Sequence, residues 1–156
     1  MPQMEMTGKE EFMIRILGIL LAVIFAAISL FHLYWAAGGV FGRSVAVPNR
    51  GDIRAFEPST GGTVLVALAF LLAIAVILGQ LKFLGDVVPH WIFRWGTWAI
   101  ALIFFIRAIG EFRLVGFFKK ASDTPFAHWD TWLFSPLCLT IAVIAFILAY
   151  TNLSHK

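Results

Sequence analysis

The sequence predicts an all-α integral membrane protein, a four-helix bundle with two longer loops on one membrane face. Three observations carry this. Hydrophobic residues make up 60% of the chain and charged residues only 13%, with a mean hydropathy of +0.88; soluble globular domains carry about 25% charge. The apolar residues fall in four runs, each long enough as a helix to cross a hydrocarbon core of roughly 30 Å. The polar residues gather between the runs, and two of those intervals are long. The 156 residues read as a single transmembrane domain, 1–156, with spans at about 12–37, 63–84, 95–118 and 132–150.

The net charge of +3 and a pI near 9.4 suit contact with anionic membrane lipid. No basic cluster is dense enough to argue for nucleic acid. The one cysteine, Cys138, excludes an intrachain disulfide and reads as a small buried hydrophobe. The first apolar run is too long for a signal-peptide core, so it is expected to be a span.

Residues 1–11 read as a polar surface tail. The first span is uninterrupted from Ile16 to Leu30 except for Gly18 and Ser29. It ends in His32, Tyr34 and Trp35, followed by Gly38-Gly39, a plausible C-cap. Tyr34 and Trp35 fit an interfacial aromatic belt. His32 has two readings: an interfacial histidine bonded to a carbonyl, or a titrating ligand contact with an unperturbed pKa of about 6.5. The loop at 38–62 is rich in Gly and Pro, has a turn signal at Pro48-Asn49-Arg50-Gly51, and carries Arg43, Arg50, Arg54 and Glu57. Loops of that length are often lids or binding loops.

The second span carries no ionisable residue before Lys82 and reads as scaffold. A short connection containing Pro89 and His90 leads to the third. There Trp91, Trp95 and Trp98 mark one membrane face, and Lys119 with Lys120 mark the other. Arg107 falls near the middle of that span, with Glu111 one turn later. At spacing i, i+4 the two share a helix face and are expected to pair. A charge at mid-bilayer costs on the order of 3 kcal/mol, so this pair is expected to face the bundle interior or a wet cavity. It is either a polar clasp that fixes helix register or part of a binding site. Arg113 points elsewhere, toward the headgroups.

The second long loop, 121–131, contains Thr124-Pro125, a helix start with Thr124 as N-cap. A short interfacial helix with Phe126, His128 and Trp129 is expected there, and Asp130 is a second candidate cap. Ser135-Pro136 falls in the first turns of the fourth span, where a kink opens space between helices.

Four antiparallel spans place both long loops at one end of the bundle. That end collects His32, Tyr34, Trp35, Arg43, Arg50, Arg54, Glu111, Arg113, His128, Trp129 and Asp130, floored by Arg107. The Lys and Arg counts of the two faces are too close to set the orientation.

At these same stretches the sequence resembles a bacterial membrane-protein family catalogued only as a domain of unknown function. The residues that carry the resemblance are His32, Tyr34, Trp35, Gly38 and Gly39; then Arg107, Gly110, Glu111, Phe112 and Arg113; then Trp129, Asp130, Ser135 and Pro136. It covers most of the chain and implies four spans. It implies no activity.

The expected function is binding of a lipid or small amphipathic or anionic ligand at this interface, through His32, Tyr34, Trp35, Arg43, Arg107, Glu111, Arg113, Trp129 and Asp130. The protein is expected in the cell membrane as a multi-pass protein, with membrane lipid as partner and a homodimer as a further option. One alternative is an enzyme acting on a lipid or isoprenoid, with Glu111 and His32 as acid and base. Another is a structural or accessory subunit. No cofactor is expected, and a metal site built from His32, Glu111, His128 and Asp130 has no supporting spacing.

Overall fold

The computed structural model describes residues 8–50, 53–54, 57–85, 88–120 and 124–151. It is an all-α bundle. Helix α1 spans Gly8–Ala36, α3 Thr60–Gln80 and α4 His90–Ile109. The fourth arm is a continuous rod in three parts: α5 (Pro125–Trp129), a π-helical turn (Asp130–Phe134) and α6 (Ser135–Tyr150). All four arms are long and apolar enough to cross a membrane. The first long loop holds a short helix, α2 (Arg43–Ala46), and a two-residue antiparallel ladder, β1 (Asn49–Arg50) with β2 (Ile53–Arg54), so Asn49 and Arg50 of the expected Pro48–Gly51 turn are in a strand.

Each arm packs on its sequence neighbours, and α6 closes the ring against α1. The core of the ring contains Leu21, Phe25, Ile77, Leu81, Ile141 and Leu148, all essentially inaccessible. Phe25 lies between Phe70 and Phe104, with centroids 5.6 and 5.5 Å away. Two buried side chains cross between arms. Ser29 Oγ donates to Ala67 O at 3.0 Å, and Gln80 Nε2 donates to Leu148 O at 2.8 Å. Both replace water by a protein carbonyl in a place water does not reach, which leaves fewer stranded polar groups.

The outer surface is apolar. Leu30, Leu72 and Ile103 are each more than 60% exposed. Only 11% of the most apolar window of α3 is buried, so this arm faces outward along nearly its whole length. A surface of this kind fits lipid contact rather than water.

Helix ends follow local chemistry. Gly38 takes φ 98°, Gly39 N–H donates to Tyr34 O at 2.9 Å, and Gly38 N–H donates to Trp35 O at 3.1 Å. This is the Schellman pattern, and it satisfies the last carbonyls of α1. Ser59 caps α3 by accepting Gly62 N–H at 3.1 Å. Thr124 caps α5 by accepting Ala127 N–H at 3.1 Å, with Pro125 in the first turn. Asp130 is not a cap, because the rod runs straight through it.

The third arm differs from expectation. Rather than continuing to residue 118, α4 stops at Ile109. Its 20 residues still give about 30 Å of helix, enough to cross a hydrocarbon core. Arg107 therefore lies in the last turn, where the helix dipole favours a cation, and not near the middle of a span.

Candidate functional site

The site is built around the place where α4 breaks. Gly110 has φ 85° and ψ −175°, a backbone region open essentially only to glycine. Gly116 has φ 89°. A Cβ at Gly110 would overlap Val115 O, and one at Gly116 would overlap Ile109 O. With both side chains absent the chain doubles back, and Phe117 N–H donates to Ala108 O at 2.9 Å. Residues 110–116 thus form a closed loop at the end of α4. Phe112 in this loop has φ 65°, a left-handed conformation unusual for an aromatic residue.

This geometry corrects the expected Arg107–Glu111 pair. Glu111 has left the helix, is exposed, and accepts Leu114 N–H at 3.2 Å within its own loop. The i, i+4 relation on which the pairing rested does not exist. Arg107 pairs with Asp130 instead: Nη2 donates to Oδ1 at 2.8 Å. Arg107 extends the inward stripe of α4 that includes the buried Phe93, Thr97 and Ile100, so the expectation of an inward-facing arginine stands while its partner changes.

Asp130 is brought inward by the π-turn. Pro136 has no N–H to offer the carbonyl one turn back, and its ring crowds that carbonyl. The turn widens, and Ser135 N–H donates to Asp130 O, five residues earlier. The Asp130 side chain is completely buried. Its Oδ2 accepts Gly116 N–H at 2.8 Å and Ser135 Oγ–H at 3.2 Å, with Lys119 Nζ at 3.1 Å. One carboxylate thus ties the end of α4, the 110–116 loop and the start of α6 together. With both oxygens occupied and no solvent access, it is a structural anchor and not an available base.

Lys119 is nearly buried, its side chain 5% exposed. Besides Asp130 it donates to Gly116 O at 3.2 Å and to Thr131 Oγ1. An ammonium has three N–H groups, so these contacts spend all of them. Arg107 is different. Its side chain is one-third exposed, yet Nη1 is buried and has no hydrogen-bond partner among the described residues. A guanidinium carries five donors, and Asp130 takes one of them here. Two cations share a single carboxylate, which leaves the trio with an excess positive charge.

The other expected site residues have separate local roles. His32 Nδ1 lies 2.8 Å from Ile28 O; since a carbonyl can only accept, Nδ1 carries the proton. The ring packs on Trp35 and Phe70. Tyr34 covers Gly39, and Trp35 Nε1 donates to Phe41 O at 2.8 Å, so both serve the turn after α1. Arg43 Nη2 reaches Pro58 O at 3.4 Å across its loop. The exposed Trp129 belongs to α5, which packs on α2, so the two long loops do meet. Arg113 is exposed on the 110–116 loop. The side chains of Arg50 and Arg54 lie outside the described residues. Among the described residues no three His, Cys, Asp or Glu side chains gather, so His32, Glu111, His128 and Asp130 are not assembled.

Sequence reasoning missed Lys119, Gly116 and Ser135 as members of the site. Gly110 and Gly116, six residues apart inside a run taken as helix, are the only trace of the break in that run, and their close approach belongs to the folded chain. No curated protein and no solved structure matches the chain. The model of one family, described as "Protein of unknown function (DUF3995)", matches residues 25–145, well over half of the chain, and with the four apolar arms in place the chain belongs to that family.

Proposed function

We propose that this is a multi-pass cell-membrane protein that binds an anionic amphiphile at the loop end of its bundle, with Arg107 as the principal contact. The observation that carries the reading is the buried, unpartnered Nη1 of Arg107 beside a carboxylate already shared with Lys119. A buried donor without an acceptor costs roughly 1–3 kcal/mol, more for a charged group, and an incoming oxyanion removes that cost. Guanidinium is well matched to carboxylate and phosphate oxygens, which it can bind through two parallel N–H groups. Exposed Phe41, Phe112, Phe118 and Trp132 around this end suit the headgroup region of a bilayer.

The acid–base alternative receives less support. His32 and Glu111 are each held by contacts within their own segments, and Asp130 has no free oxygen. The clasp reading applies to Asp130 rather than to Glu111, and it is compatible with binding at Arg107.

Native mass spectrometry of protein gently extracted from its membrane tests the proposal. An anionic lipid or amphiphile is expected to stay bound to the wild type and to be lost from Arg107→Gln, while Glu111→Gln retains it. An empty wild-type protein, or equal retention by Arg107→Gln, would overturn it.

A further inference from the structure

Resting on the anion-binding reading above, we infer that the ligand headgroup carries a single negative charge: a phosphodiester or a carboxylate rather than a phosphomonoester or a zwitterion. The inference comes from the charges in contact with Arg107, whose side chain is one-third exposed. Arg107 and Lys119 each contribute one positive charge, and Asp130, which both of them contact, contributes one negative charge. The trio is therefore one positive charge in excess. Asp130 and Lys119 are almost entirely withdrawn from solvent, where an uncompensated charge is expensive, and a monoanion brings the cluster to neutrality. A dianion would reverse the sign of the excess and recreate the same cost. A zwitterion would bring its own cation toward two others.

The hydrogen bonding agrees with the charge balance. Lys119 has its N–H groups committed to Asp130, Gly116 and Thr131, so it contributes charge but no free donor. The unspent donors belong to one planar guanidinium, whose fork fits two oxygens of one small oxyanion. Carboxylate and phosphodiester both present such a pair of oxygens with one net charge. A fatty acid and a diacyl phosphodiester lipid are the two membrane sources of that chemistry.

The test is a titration of lipid-stripped protein in neutral detergent, read by native mass spectrometry. The probes are phosphatidylglycerol, oleate, phosphatidylcholine, and phosphatidic acid at a pH where its phosphomonoester is doubly charged. At least one of phosphatidylglycerol and oleate is expected to bind at least tenfold more tightly than phosphatidylcholine and doubly charged phosphatidic acid, a difference of about 1.4 kcal/mol or more. Which of the two binds better identifies the source. Lys119→Met removes the excess charge without removing a ligand contact, and the preferred monoanion is expected to weaken about tenfold or more in it. If Lys119→Met does not fold, the wild-type series alone decides. Doubly charged phosphatidic acid binding as well as the monoanions would overturn the inference while leaving anion binding intact. No binding of any anion would instead overturn the reading on which it rests.

Discussion

Asp130 is the residue on which the loop end depends. It is fully buried and accepts from Arg107, Gly116 and Ser135 while contacting Lys119, so removing it strands two cations at once. Asp130→Ala is expected to cost roughly 3–5 kcal/mol, the usual penalty for breaking one side of a buried pair, measured as a lowered thermal midpoint in detergent. Glu111→Gln is expected to change stability by less than about 0.5 kcal/mol, because the residue is exposed and makes one local contact. These two outcomes are the reverse of what the sequence suggests. Glu111 is four residues from Arg107 and matches a helical pairing rule, whereas Asp130 is 23 residues away and no sequence rule links them. Arg107 itself was legible, since a charge in an apolar run needs an interior-facing partner. The partner's identity depends on tertiary packing and on a π-turn that neighbouring Pro136 favours.

Among the elements, the apolar arms were legible because hydropathy over twenty residues hardly depends on context. The cap at Thr124-Pro125 and the turn at Gly38-Gly39 were legible because each follows from the chemistry of two adjacent residues. The end of α4 was not. Phe112, Leu114, Val115, Phe117 and Phe118 continue the apolar pattern beyond the break, and a single glycine is tolerated within many helices. What stops the helix is the close approach of Gly110 to Gly116, visible only once the chain has folded back. Gly110→Ala is therefore expected to destabilise the protein by several kcal/mol, more than the roughly 1–3 kcal/mol of one strained residue, because its Cβ would also overlap Val115 O. Gly61→Ala, in the first turn of α3 with open space around its Cβ, is the matched control and is expected to be neutral or slightly stabilising. Thermal unfolding of the two variants side by side checks the difference.

For the molecule as a whole, the ring of four antiparallel arms puts residues 40–41, 112–113 and 132 at one end and the turn at 81–85 at the other. In a Cys138→Ala background, single cysteines at Phe41, Phe112 and Trp132 are expected to react with a membrane-impermeant maleimide from the same side, and one at Phe83 from the opposite side. All four are well exposed. A mixed pattern among the first three would contradict the antiparallel arrangement. The same end offers a practical opening. Because the chain departs after Ala108 and is back beside it at Phe117, the stretch between is a side excursion, and the two ends of that excursion stay pinned however long it becomes. A short epitope grafted between Phe112 and Arg113 would hang from the bundle like a pennant from a fixed mast, reporting which compartment this face looks into while the four arms keep their spacing.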